Sequence, residues 1–246
     1  MPVNFKFGMP VAHSMDGRIA VIVPAYNEEK TIGQVVKAIK ELGKRYDPIV
    51  IDDSSSDLTA VVAESEGGIV IRLPYNLGIG GAVQTGFKYA LLNKYDACVQ
   101  ADGDGQHPTK EIPKLVKPLV EEGYDIVIGS RFVSDTDYDI SLMRNIGIKM
   151  ISLFLRIGAG MCVKDPTSGF RAISRKAMAV FAVEYPQDYP EPEALIFAHK
   201  YGFRVKEISI KMYNRMHGTS SITPLKAGYY MVKVLLAMFI DLFKKM

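Results

Sequence analysis

Through the first half of this 246-residue chain, short runs of uninterrupted apolar residues alternate with stretches whose apolar residues recur every three or four positions. Residues 19–23, 49–51, 69–73, 97–101 and 126–129 are apolar nearly throughout, which predicts strands buried on both faces. Between them, residues 31–42 place Ile32, Val35, Val36 and Ile39 on one helical face. Residues 57–66, 82–92 and 112–122 predict further helices, the first capped by Asp57 with Leu58, Val61 and Val62 inward. Such alternation predicts an α/β fold: a mainly parallel central sheet with helices on both faces. Ligands of such sheets bind outside the carboxyl ends of the strands. Three polar clusters (Pro24 to Glu28, Asp52-Asp53-Ser54, Asp102-Gly103-Asp104) follow strands there and are expected to share one rim.

The second half is less regular. Residues 142–161 are long, apolar and studded with Arg144, Lys149 and Arg156. A turn is expected over 165–171, a short helix over 177–183, a loop through the three prolines of 186–192, and a helix over 193–201. Residues 205–212 alternate like a strand with one exposed face. From 225 to 246 runs an aromatic-rich apolar helix, interrupted by Lys233 and Asp241. Its charge-free stretch is shorter than the ~20 residues a bilayer span needs. An amphipathic helix lying at a membrane interface fits it, with Lys244 and Lys245 near headgroups; packing on the domain or a partner is the alternative. The organisation expected is a loose tail (1–17) without a signal peptide's pattern, one domain (18–222) and a C-terminal amphipathic helix (223–246).

Charge sharpens this division. Residues 1–140 carry 14 Lys and Arg against 20 Asp and Glu, a net of −6, whereas 141–176 reach +6 and 200–246 reach +7. An acidic half able to hold a metal is thus followed by basic segments suited to anions or an anionic membrane surface. Cys98 and Cys162 are the only cysteines, and Cys98 falls in a predicted buried strand, which suits a reduced cytosolic protein rather than a disulfide scaffold.

The densest chemistry is Asp102-Gly103-Asp104. Carboxylates at i and i+2 on extended backbone point to the same side. At a strand terminus they form a hard, anionic oxygen pair for Mg²⁺ or Mn²⁺, with positions left for substrate phosphates. An acidic, glycine-rich surface turn is the alternative for such a triplet taken alone. Gly78-Ile79-Gly80-Gly81 is no dinucleotide fingerprint: Val83 stands where a third glycine belongs, and the run follows the third strand. It predicts a tight turn into a helix, with Asn76 helping.

Taken together, Val23-Pro24-Ala25-Tyr26-Asn27-Glu28-Glu29, Ile51-Asp52-Asp53-Ser54-Ser55-Ser56-Asp57, the segment from Gln100 to Pro108 and Gly129-Ser130-Arg131 resemble glycosyltransferase family 2. Asp165-Pro166-Thr167-Ser168-Gly169-Phe170-Arg171 resembles its dolichol- or polyprenyl-phosphate hexose synthase branch. The resemblance covers residues 18–222 and implies a GT-A-like nucleotide-sugar-binding α/β fold, inversion at the anomeric carbon and a divalent metal. It implies that Pro24, Tyr26 and Glu28 line the base and ribose site, completed by Ile51 and by Asp53, which accepts from a base N–H. Asp102, Gly103 and Asp104 would flank the diphosphate. Asp102 and Asp104, with Gln106 two residues on, would hold Mg²⁺ or Mn²⁺, and His107 would position. Arg131 and Arg144 would bind the acceptor's phosphate. Arg215 matches a late loop over the diphosphate, but Ser221 stands where relatives carry Lys, which counts against GDP-mannose. Asp165 and Arg171 are expected to pair as architecture.

Glu191-Pro192-Glu193 occupies the place of a catalytic acid or base, so Glu193 joins Asp102 and Asp104 as a catalytic candidate. A hydroxyl acceptor needs a base; a polyprenyl phosphate is already anionic. The resemblance implies hexose transfer from a UDP- or GDP-sugar to a polyprenyl phosphate, by a protein peripheral at the cytosolic membrane face. Its partners would be donor, lipid acceptor and membrane surface, with a membrane subunit or a homo-oligomer to meet the lipid, and no nucleic acid. Two alternatives stand beside it: transfer to a glycan hydroxyl with Glu193 as base, and a non-catalytic nucleotide-sugar-binding subunit. A nucleotidyltransferase would need a basic, glycine-rich loop after the first strand, which is absent.

Overall fold

The structure, a computed structural model, describes residues 17–133, 142–212 and 224–244, except the side chains of 142–144 and 224–230. In chain order the elements are β1 (Ile19–Ala25), α1 (Ile32–Lys40), β2 (Tyr46–Asp52), α2 (Thr59–Ser65), β3 (Ile69–Arg72), α3 (Gly78–Leu92), β4 (Ala97–Gln100), α4 (Ile112–Glu121), β5 (Ile126–Ser130), α5 (Leu142–Ala159), β6 (Arg171–Ser174), α6 (Arg175–Val183), α7 (Pro190–Lys200), β7 (Val205–Ser209) and α8 (Pro224–Phe243). The strands form one sheet in the order β3-β2-β1-β4-β6-β5-β7. All pairings are parallel except those of β6, which runs antiparallel to both β4 and β5.

The fold is the expected α/β one, and its two cores follow from the pleat. Successive side chains of a strand point to opposite faces. Ala20 and Ile22 of β1 therefore join Ile49 and Ile51 of β2 in one core, while Ile19, Val21 and Val23 join Val50 in the other. Each such fully buried isoleucine or valine side chain contributes about 1.5–3 kcal/mol.

Several local expectations are corrected. Strand β6 was not anticipated; at four residues, between a turn and a helix, it is too short to show a period. Helix α2 begins at Thr59 and buries Thr59, Ala60 and Ala63, leaving Leu58 and Val61 exposed. It lies close against α1, with Val62 facing Gly33, and the residues it buries fully are small. Helix α7 starts at Pro190, inside the expected loop, because prolines in a first turn forgo only N–H groups that lack intrahelical partners.

The glycine run is the first turn of α3 itself. A Cβ at Gly80 would stand 2.5 Å from Gln187 Cα and from the carbonyl oxygens of Pro186 and Gln187, and one at Gly86 would stand 2.4 Å from Ile22 Cγ2. These glycines let α3 lie close against β1 and the segment leading to α7. Gly80→Ala is expected to destabilise the fold by about 1–3 kcal/mol through overpacking, read as a lower melting temperature.

Candidate active site

The first two loops of the rim are stitched together. Asn27, in the left-handed region at φ 55°, accepts from the backbone N–H and hydroxyl of Ser56 through its side-chain oxygen. Its own N–H donates to Ser55 Oγ at 2.9 Å, and those of Glu28 and Glu29 donate to Thr59 Oγ1 and Asp57 Oδ2. Asp57 also accepts from the N–H of Thr59, so it caps α2 while holding the neighbouring loop. Tyr26 stands exposed on this rim, and half-buried Glu28 accepts from the Thr31 hydroxyl at 3.0 Å. Pro24 is buried in β1, and Ile51 is fully buried facing the core, so its side chain lines no surface.

Asp53 is engaged. Its Oδ1 accepts from Leu77 N–H at 2.7 Å and its Oδ2 from Gly78 N–H at 2.9 Å, while Asn76 Nδ2 reaches its carbonyl at 3.3 Å. A carboxylate on two amides entering a helix is a favourable cap. The contact spans 24 residues, so sequence reasoning missed it; Asn76 before the glycines was its only local sign.

The acid pair lies beside these loops. A Cβ on Gly103 would stand 3.3 Å from Pro24 O and 3.4 Å from Ala25 Cβ, so this segment lies against the end of β1. Asp102 keeps about a third of its side chain exposed, whereas Asp104 is buried and accepts from Gln106 N–H at 3.0 Å. His107 accepts from Asp102 N–H through Nδ1 at 2.8 Å, places Nε2 3.5 Å from Asp102 Oδ2, and stacks on Phe170 with ring centroids 4.9 Å apart. It thereby positions Asp102. Among the described residues no group of three or more His, Cys, Asp or Glu gathers as a metal cage. Two hard carboxylates leave most of a cation's coordination to other oxygens, which fits an ion that arrives with a diphosphate.

The second half closes the site from β6. Asp165 pairs with Arg131, not with Arg171: Nε and Nη2 of Arg131 donate to its two oxygens at 2.8 and 2.6 Å, and Nη2 also reaches Thr167 Oγ1. Both residues are buried. Glu207 of β7 accepts from the N–H groups of Lys164 and Asp165. Arg171 instead donates to three carbonyls, those of Ser168, Glu191 and Pro166, at 2.7–2.8 Å. The side chain of Arg144, and Arg215 altogether, lie outside the described residues.

The two glutamates of α7 diverge. Glu193 turns away from the rim toward Asp241 of α8, with its Oε1 lacking any hydrogen bond. Burial, the hydrogen bond shared with Asp241, and the charges of Asp241 and Asp188 raise its pKa to about 8. Glu191 is the glutamate beside the acid pair. Burial raises its pKa, Arg171 opposes the shift and Asp102 adds to it.

The sequence pattern of Glycosyl transferase family 2 matches residues 20–180. The chain belongs to this family. It is therefore a glycosyltransferase. It is 38% identical to an uncharacterized protein of Methanocaldococcus jannaschii, over 87% of this chain and 90% of that one. It is 31% identical to the UDP-N-acetylglucosamine–dolichyl-phosphate N-acetylglucosaminyltransferase of Methanococcus voltae, over 92% and 99%. In fold it resembles glucosyl-3-phosphoglycerate synthase from Mycobacterium tuberculosis, solved with Mn²⁺, uridine diphosphate and phosphoglyceric acid. That likeness has a TM-score of 0.71 at 23% identity and covers 96% of this chain and 82% of the synthase.

Away from the rim, the glycosyltransferase packs α8 on α5. Met231 and Leu242 sit against Gly147 and Gly158, both pairs eleven residues apart, so the helices run parallel. Val234 and Met238 are buried, while Leu236, Phe239 and Phe243 stay exposed beside Ile146, Met150, Leu153 and Ile157 of α5. The C-terminal helix thus packs one face on the domain and leaves another apolar and open. No helix among the described residues is long and apolar enough to cross a membrane.

Two outcomes follow for this transferase. Asp165→Ala would strand a buried guanidinium and is expected to cost about 3–5 kcal/mol in thermal or denaturant unfolding. Glu193 binds its proton more tightly folded than unfolded, so stability falls as pH rises from about 4.5 through about 8. Melting temperatures between about pH 5 and pH 9 should show this decline, and Glu193→Gln should flatten it.

Proposed function

We propose that this glycosyltransferase moves a hexose from a nucleoside diphosphate sugar onto a polyprenyl phosphate, with inversion, at the cytosolic membrane surface. The observation that carries the reading is the acid pair after β4, lying against the end of β1 beside the two stitched loops. Tyr26 and Glu28 would meet the base and ribose, and Asp102, Asp104 and Gln106 would hold Mg²⁺ or Mn²⁺ against the diphosphate. The cation, when bound, supplies Lewis acidity for charge gathering on the leaving group. His107 keeps Asp102 oriented. The acceptor's phosphate oxygen attacks the anomeric carbon opposite the diphosphate. A new carbon–oxygen bond forms as the old one breaks, and its electron pair leaves with the nucleoside diphosphate.

Three observations favour a phosphate acceptor over a hydroxyl. Glu193, the expected base, faces α8, and an anionic phosphate needs no base. A cavity of about 500 Å³ opens beside α5, lined by Phe132, Ile148, Lys149, Arg156, Val163 and Lys164, a mixture suited to an anionic head on an apolar chain. The open apolar faces of α5 and α8, with Lys149, Arg156, Lys233 and Lys244, suit an anionic bilayer surface. Relatives named for this acceptor class, the Methanococcus voltae transferase and the polyprenol monophosphomannose synthase of Mycolicibacterium smegmatis, support the same choice. Arg144 remains the proposed phosphate ligand, whereas Arg131 serves by holding Asp165 beneath the site.

The test is melting with UDP- and GDP-hexoses, with and without Mn²⁺, followed by transfer to polyprenyl phosphate or to glycan. One donor should stabilise only with metal, and product should require the lipid phosphate. Asp104→Ala should abolish the metal-dependent shift and slow transfer on the order of a thousandfold. Metal-independent transfer, or transfer to glycan alone, would overturn the proposal.

A further inference from the structure

Gln100 ends β4 at 1% exposure, and neither its Oε1 nor its Nε2 makes a hydrogen bond. Its amide lies near enough to Glu191 to favour that group's charged form, yet outside hydrogen-bonding geometry. Buried amides without partners are unfavourable and rare, so one kept in a central strand calls for a partner from outside.

The place such a partner would occupy is defined by Gly169. An atom at its Cβ position would stand 3.2 Å from Gln100 Nε2, 3.6 Å from Asp102 Oδ1 and 3.6 Å from Glu191 Oε1. Three polar groups thus converge on a point that only a missing side chain leaves open. The backbone of Gly169 is not in the left-handed region, so conformation does not demand glycine there; a Cβ would press on the end of the Gln100 side chain and fill the space between the three groups. Gly169 and Glu191 are both partly exposed, so the space opens to the rim.

We infer that Gln100 and Glu191, over the floor of Gly169, form the pocket that reads the hydroxyls of the transferred hexose. This rests on the donor reading above, because a sugar hanging from a diphosphate held at Asp102 comes within reach of this point. Glu191 accepts from a hydroxyl, the Gln100 amide both donates and accepts, and adjacent hydroxyls of one ring engage the two together. A site whose polar groups are left unpaired by the wrong sugar discriminates strongly. The pair would therefore determine specificity rather than carry out chemistry.

Gln100→Leu and Gly169→Ala test this, with calorimetry of Mn²⁺ plus the nucleoside diphosphate alone, the nucleotide hexose, and its deoxy analogues. Both variants should bind the nucleoside diphosphate within about twofold of the parent. They should lose at least about tenfold for the nucleotide hexose and cease to distinguish it from a deoxy analogue. Gln100→Leu, freed of an unpartnered amide, should melt about 2–4 °C higher. Unchanged sugar discrimination would overturn the pocket while leaving the donor reading intact. So would parallel loss of nucleoside diphosphate binding and melting temperature in Gln100→Leu, since that marks a structural glutamine. A parent protein that binds neither UDP nor GDP with metal would instead sink the donor reading, and the pocket with it.

Discussion

One buried guanidinium holds the two halves of this enzyme in register. Arg171 opens β6, paired across the sheet with Gln100 at the end of β4. From there it donates to the carbonyls of Pro166 and Ser168 in the preceding turn and of Glu191 at the start of α7. Burial works against its charge, while Tyr185, Glu191, Asp165 and Glu207 favour it. Lysine could not replace it, because three carbonyls in three directions need the planar fork. Everything the second half brings to the acid pair (Gly169, Phe170 beneath His107, and Glu191) hangs from that side chain.

The site is built against stability in places and for it in others. Arg131 with Asp165 is a buried ion pair with complementary geometry, supporting the turn that leads into β6. Gln100 carries unpartnered amide atoms, and Glu193 faces a second carboxyl on α8. The Glu193–Asp241 contact also ties α7, which carries Glu191, to the helix that shares its open apolar face with α5.

Much of the fold was legible along the chain. The apolar runs of β1, β2, β4 and β5 and the facing residues of α1 reflect local periodicity, which burial imposes directly. Strands β3 and β7, by contrast, form the two edges of the sheet and are only partly buried. The convergence of the three polar clusters was also legible, since parallel strands connected by helices place their carboxyl ends together. Strand β6 was not, because four residues carry no period and its antiparallel insertion answers to the needs of β4 and β5. Leu58 and Val61 misled because their spacing is helical, yet the residues that α2 buries are Thr59, Ala60 and Ala63, with Val62 against Gly33 of α1.

The sequence by itself determined the sheet's hydrophobic layers, the acid pair at a strand end and the family motifs, all set by residues within a few positions of one another. Only the tertiary structure decided partners: Asp165 with Arg131, Asp53 with the start of α3, Glu193 with Asp241, and Glu191 rather than Glu193 beside Asp102. Two glutamates two residues apart in a helix's first turn are alike in propensity and charge. They point some 200° apart around the helix axis, and which one meets the site depends on how the whole helix is laid against the sheet.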